Sequence, residues 1–507
     1  MAQHTIAENL QRLVQSLSDI KSHISAKGGT VNQNDGFEEL PTAIDSIPTS
    51  GQAITPKDVN FYDYDGTLVA SYSDTEFLQL AQMPENPTHQ GLTSQGWNWT
   101  FEDAVDFVTQ HSKLNIGQLY ITSDGKTRLY VTISEGITNP YMSLYFNNNT
   151  TVNIDWGDET SADELSSTTA EYITTSHIYQ NTGDYVITIT VISGSIAIQS
   201  SDTNVGQIIY SGDPYGPNTA YISCINAVEI GSGISGISNY AFWGANSLTS
   251  ISLPSTISGD WNRSFNSCTL LKYITIPNDV VSIGAYSFTN CFNLRTISFP
   301  KSTTTVLNDA FESCSALDNV VLPYVTDVGN KAFYYCRTLR FAIMPNVTII
   351  RDSAFNSCPA LMNIELGTSL TSIKASAFTF CTSLVYVNIP NSITALESDV
   401  FSQCRTLQAF SIPDTLKAIP SNMLSNCQIL QSITIPKSVT SIGASAFSNL
   451  YSVKFVKFMS TTPPTITSST FTKLPTSAKI YVPAGSLSAY TSAGNYPNPN
   501  TYEYIEY

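Results

Sequence analysis

The sequence predicts a multidomain, mainly β protein: an N-terminal helix, a small α+β module, a β-sandwich, a long solenoid and a closing segment. Three observations carry that expectation. The first is a period. Phe242, Phe265, Phe288, Phe311, Phe333, Phe355, Phe378, Phe401, Leu424 and Phe447 follow one another at 22 or 23 residues, and a spacing that strict means an array of stacked units. The second is the wording inside each unit. Leu248, Leu271, Leu294, Leu317, Leu339, Leu361, Leu384, Leu407, Leu430 and Val453 each open a short apolar alternation that mostly ends in proline, as in Ile274-Thr-Ile276-Pro277. Alternation marks a strand with one buried face, and proline ends its pairing. The third is composition: charged residues make up only 12% of the 507 residues, roughly half the usual share, so Ser, Thr, Asn and Tyr must build the surface.

Residues 1–50 read as a helical anchor with a linker. Thr5 and Glu8 form a capping box, and Ile6, Leu10, Leu13, Leu17, Ile20 and Ile24 step along a heptad seam that Gly28-Gly29 stops. A seam this short makes a weak coiled coil, so the helix either self-associates or docks on a neighbour. Mixed Ile and Leu at the seam favours a homotrimer over a dimer. Pro48 to Gln52 then form the linker. The wording Ala7-Glu-Asn-Leu10 through Asp19-Ile-Lys and Phe37-Glu-Glu-Leu40-Pro resembles the amino-terminal segment of tail proteins of phages that infect gut bacteria.

Residues 53–136 read as the α+β module. Val59-Asn-Phe61-Tyr-Asp63-Tyr-Asp65-Gly66-Thr67-Leu68 resembles the nucleophile motif of haloacid-dehalogenase-type phosphatases, with Gly157-Asp158 and Asp163 posing as the magnesium motif. A hairpin turned at Asp65-Gly66 explains the same residues, because Val59 and Phe61 alternate against Leu68, Ala70 and Tyr72. That reading is preferred, since the helix-linked parallel strands of the enzyme fold are missing from the intervening sequence. Phe101, Val105 and Val108 predict a helix over about 101–110, and Asp124-Gly125 predicts a second hairpin. Trp97 and Trp99 are candidates for stacking on a sugar but suit a core better. His89 and His111 lack ligand spacing and are expected as isolated surface residues, not metal ligands. The module as a whole resembles one found in virion structural proteins of tailed phages.

Residues 137–203 turn to short strands. Val152-Asn-Ile154-Asp-Trp156-Gly157-Asp158-Glu159 and His177-Ile-Tyr179 with Gly183-Asp-Tyr185 resemble the PKD domain. The resemblance implies a small immunoglobulin-like sandwich with Trp156 in its core, His177 and Tyr179 at a corner, and a spacer role. Glu159 stands where that family mostly has glycine.

Residues 205–460 hold the array, and 461–507 a tyrosine-rich segment that resembles the closing unit seen after such repeats. The units resemble BspA-like leucine-rich repeats, with their Ile-Pro-x-x-Val-x-x-Ile-Gly-x-x-Ala-Phe-x-x-Cys-x-x-Leu wording. Eight of nine cysteines, Cys268, Cys291, Cys314, Cys336, Cys358, Cys381, Cys404 and Cys427, share one repeat position. They are expected as a buried column of free thiols, because parallel Cβ vectors do not face each other as a disulfide requires. Cys224 falls outside the series. Strand positions two and four residues after each repeat leucine form a concave face. Its middle carries Tyr273, Val321, Phe341, Ile343 and Tyr386, an apolar and aromatic cluster on a polar surface, which with Asn363, Glu365 and Asn388 is the candidate ligand-binding site.

No residue set combines a nucleophile, a base and an orienting group, so no enzyme and no cofactor is expected. A net charge of −17 on 23 basic residues argues against nucleic acid or an anionic membrane as partner. Residues 1–30 show no export signal and no stretch is long enough to span a bilayer. The expected function is that of a virion protein of a tailed phage, a tail fibre joined to other virion proteins and presenting the repeats to a host-surface glycan or protein. A bacterial adhesin of the same repeat class and a purely structural or head-decoration fibre are the alternatives.

Overall fold

The computed structural model describes residues 56–111, 113–135, 139–199, 209–211 and 224–507, the segment 209–211 by its backbone. The N-terminal helix and its seam, Ile6 to Ile24, lie outside the described residues. Lys57–Tyr507 form one compact unit.

The chain first builds a four-stranded sheet in the order β2-β1-β4-β3, from β1 (Val59–Tyr62), β2 (Leu68–Tyr72), β3 (Leu92–Trp97) and β4 (Leu114–Thr122). A single helical turn, α1 (Asp74–Phe77), follows β2, and α2 (Phe101–Gln110) follows β3. Thr100 caps α2 by accepting the Asp103 amide, and Ala104, Phe107 and Val108 bury its inner face. β1 and β2 are the predicted antiparallel hairpin. Gly66 sits at φ +88°, and Thr67 donates its amide to Asp65 Oδ1 at 2.8 Å, so the phosphatase-like motif is a turn.

The second predicted hairpin does not form. β4 pairs with β1 and β3, whereas β5 (Thr127–Ile133) leaves for another sheet beside β10 and β13. The reason is burial. β4 is covered on both faces and β5 on one, so the two strands serve different cores although Asp124-Gly125 still turns the chain. Gly231 makes this possible: a Cβ there would lie 2.3 Å from the Gly125 carbonyl oxygen, which instead accepts the Ser232 amide at 3.0 Å.

Residues 127–199 form two facing sheets from β5, β6 (Pro140–Phe146), β7 (Thr150–Asp155), β8 (Asp163–Ser167), β9 (Glu171–Ser176), β10 (Gly183–Ser193) and β11 (Ile196–Ile198). Both sheets run on into the array. One has the order β15-β13-β5-β10-β7-β8 and the other β12-β6-β11-β14, with β9 beside β6. Here β12 is Ile209–Ser211, and β13 (Ile225–Glu229), β14 (Ile234–Ile237) and β15 (Ser250–Ser252) belong to the first coils. The sandwich therefore closes the N-terminal end of the solenoid instead of standing apart as a spacer, and β5, which lies before the boundary expected near residue 136, pairs with β10 and β13 beyond it. Trp156 fills its core, donating from Nε1 to Asp163 at 2.9 Å and stacking on His177 with ring centroids 5.1 Å apart. The Tyr179 hydroxyl donates to the Trp156 carbonyl at 2.8 Å.

Each later coil has three sides. Parallel strands such as Asn319–Val321, Phe341–Met344 and Asn363–Leu366 form the first in coil-to-coil register. Two-residue strands from Ser282–Ile283 to Ala395–Leu396 form the second. The third carries the phenylalanine column, whose rings stack from Phe242 to Phe401 with centroids 5.0–5.4 Å apart. The column resumes where Phe471 stacks on Phe447 at 5.5 Å, one coil beyond the end read from the sequence. Two further strands, Lys479–Val482 and Tyr504–Glu506, extend the first side in parallel. The hydroxyls of Tyr490, Tyr496, Tyr502 and Tyr507 donate to the carbonyls of Ser460, Pro464, Leu474 and Phe458 at 2.7–3.0 Å, meeting acceptors that a further coil would otherwise serve.

Candidate binding face

The strand face of the early coils is covered by the chain's own α+β module. Val321 and Ile343 are buried and join one core with Phe61, Trp97, Trp99, Phe107 and Ile116 of the module. Tyr273 is buried against Tyr62, with ring centroids 5.1 Å apart. Phe341 lies under the Lys113 ammonium, 5.3 Å from its ring centroid. These four residues are therefore an intramolecular seam and not an open site. Apolar side chains on a polar sheet mark a contact, and here the contact is made within the molecule.

Polar groups fix the register of that seam. Trp99 Nε1 donates to the Phe299 carbonyl at 2.8 Å, Ser298 Oγ to the Asn115 carbonyl at 2.6 Å, and Asn115 Nδ2 to Asn319 Oδ1 at 2.8 Å. Gly117 on β4 permits the close approach, since a Cβ there would lie 2.2 Å from Thr275 Oγ1. At the rim Lys301 pairs with Asp103 at 2.5 Å, and His111 with Glu365 at 2.5 Å. The Lys301 ammonium holds the Asp103 carboxyl below its ordinary range. The tryptophans considered for sugar stacking are thus core residues, and Trp97 donates to the Pro84 carbonyl. The expectation of isolated surface histidines fails as well: His111 pairs with Glu365, and His89 Nε2 lies 2.6 Å from the buried Asp63.

The remaining candidates stay open. Asn363, Tyr386 and Asn388 are exposed on the coils beyond the module's edge. Tyr386 is 52% exposed, beside Val385 at 41% and Met362 at 39%. Met362 and Val385 lie one position before the strand residues read from the sequence, and no alternation signal pointed to them. A flat strip of two amides, a phenol and two apolar side chains can bind by surface complementarity.

The phosphatase-like residues assemble no chemistry. Asp63 is occupied by His89 and by the Tyr64 amide, Asp65 by the Thr67 amide. Among the described residues no group of three His, Cys, Asp or Glu could hold a metal ion. The nine cysteines are free and buried. Each of the eight in the column points its thiol at a phenylalanine carbonyl of an adjacent coil, as Cys314 does at Phe288, 3.1–3.3 Å away. Burial pushes the Cys314 and Cys404 thiols well above their ordinary pKa.

Comparison with known proteins agrees with the coil geometry. Residues 217–340 and 348–478, just over half of the chain, match the BspA type leucine rich repeat region in six copies. The chain belongs to the BspA-type leucine-rich repeat family. A T. pallidum leucine rich repeat protein is 28% identical over 38% of this chain and 83% of its own, with a TM-score of 0.29. A leucine rich cell surface protein of Faecalibacterium prausnitzii is 21% identical over 61% and 90%, with a TM-score of 0.30. The pneumococcal vaccine antigen PcpA is 19% identical over 59% and 82%, with a TM-score of 0.39. No curated protein matches the chain, and no catalytic family is indicated for this BspA-type repeat protein.

Proposed function

We propose that this BspA-type protein is a non-enzymatic attachment protein that engages a host-surface glycan or protein through the open half of its strand face. The observation that carries the reading is the exposed strip of Met362, Val385 and Tyr386 between Asn363 and Asn388, immediately beyond a module that already covers the neighbouring coils. Its setting is the virion of a tailed phage, assembled in the host cytoplasm. The resemblance of the N-terminal wording and of the α+β module to phage structural proteins supports that setting. In this reading the N-terminal helix joins three copies and meets other virion proteins, the PKD-like sandwich seals the first coil, and the tyrosine-rich segment caps the last.

A bacterial cell-surface adhesin is the second reading, and membership of the BspA-type family favours it at least as strongly. Antibody labelling of intact phage particles and of intact bacterial cells separates the two settings. Attachment itself is tested by binding the full chain and its Val385→Ser/Tyr386→Ser variant to intact bacterial cells. Loss of binding with unchanged thermal unfolding supports the reading; equal binding by both proteins removes the strip as the attachment site, and no binding by either leaves a structural fibre.

A further inference from the structure

One flank of the array carries large side chains on two coils and small ones on the coil between. Four residues after the column phenylalanine, consecutive coils place Phe292, Ser315 and Arg337; two residues after it, Ser313 is followed by Tyr335. The side-chain volume missing from the middle coil leaves a cleft of about 410 Å³ lined by Phe292, Ser313, Ser315, Tyr335 and Arg337. Its walls stand two coils apart, roughly 9.6 Å at about 4.8 Å per coil, so a saturated six-membered ring fits in van der Waals contact with both.

Phe292 and Tyr335 are 45% and 38% exposed, each offering an aromatic surface to the opening. The Arg337 guanidinium lies 5.5 Å from the centroid of the Tyr335 ring. Among the described residues Arg128, Arg340 and Arg351 are each paired with an aspartate; Arg337, like Arg263, Arg295 and Arg405, has no carboxylate partner, and of these four it is the one that lines the cleft. The Arg337 guanidinium is thus left free to meet an anion at the cleft, on a chain of net charge −17. Guanidinium geometry matches a carboxylate with two parallel hydrogen bonds. Ser315 Oγ donates to the Phe292 carbonyl at 3.4 Å and keeps lone pairs that accept from a sugar hydroxyl, and aromatic rings pack against the apolar faces of a pyranose.

We propose that this cleft binds one pyranose ring bearing a carboxylate. It is a site distinct from the Met362–Tyr386 strip, and it neither requires nor excludes attachment through that strip.

The test is ligand-observed saturation-transfer NMR on the full chain with methyl glucuronide, methyl glucoside and glucose 6-sulfate. The glucuronide is expected to bind at least tenfold more tightly than the glucoside. Arg337→Gln should erase that preference, and Tyr335→Asn, which suits the left-handed backbone there, should weaken both sugars. Val385→Ser/Tyr386→Ser should change neither. Absence of binding by all three sugars, equal binding of glucuronide and glucoside, tighter binding of the sulfate, or an unchanged preference in the Arg337 variant would each overturn the proposal.

Discussion

The residues flanking each column phenylalanine are left-handed: Arg263 and Ser267, Tyr286 and Asn290, Asp309 and Ser313 have φ between 56° and 63°. The left-handed residues leave every second amide facing the next coil, while the amides between them, of Ser264 and Asn266, donate back to Trp261 and Arg263 in their own coil. Arg263, Phe265 and Ser267 therefore donate to Ala285, Ser287 and Thr289 of the next coil at 2.8–3.0 Å. A flat ring repeated at one height stacks behind that ribbon, and the column results. Phe333→Ala should then cost about 3–5 kcal/mol, and Phe333→Leu about 1–2, since Leu424 shows that leucine is accepted; urea unfolding of the two variants checks the order. Glu159 follows the Gly157-Asp158 turn. It holds φ +66°, a conformation that glycine adopts freely, so Glu159→Gly should raise stability by about 1 kcal/mol in thermal unfolding.

At the scale of elements, the docking of the module on the strand face is the decisive packing event. Ile343 is 5% exposed at its centre, and Ile343→Asp would bury an uncompensated carboxylate there. The variant should release the module while the coils remain folded, read as faster hydrogen exchange confined to β1–β4 and a red-shifted emission from Trp97 and Trp99. The rim pair adds an acid dependence. The folded Asp103 carboxyl is depressed by Lys301, so its contribution is fully present above the unfolded value near 4 and is lost as pH falls through the lower folded value. Asp103→Asn should remove that component of the acid sensitivity of docking, measured by the same exchange between pH 5 and 2.

At the scale of the whole molecule, one hydrophobic core runs from Leu129 of the sandwich to Tyr490 near the C-terminus. A stack has two open ends and each must be closed. Here the sandwich lends both its sheets to the first coils, and tyrosine hydroxyls meet the last carbonyls. The nine free, buried thiols report the integrity of that core. None should react with a thiol-specific reagent in the native chain and all nine should react in denaturant; rapid labelling of any column cysteine in the native chain would contradict a closed stack.

What the sequence determined by itself was everything that repeats or turns locally. Phenylalanine spacing announced the coils, the shared cysteine position announced an unbonded thiol column, Asp65-Gly66 announced the first hairpin, and the spacing of Phe101, Val105 and Val108 announced α2. Contacts between coils are contacts between neighbours in sequence period, so pattern alone exposes them. Which surface covers Tyr273, Val321, Phe341 and Ile343, and which sheet receives β5, only the tertiary structure decided. The contacts that cover the strand face join residues as far as 200 positions apart, such as Trp99 and Phe299, through complementary shape between unlike elements. An apolar strand position has the same spelling whether a partner, a ligand or the chain's own module lies against it.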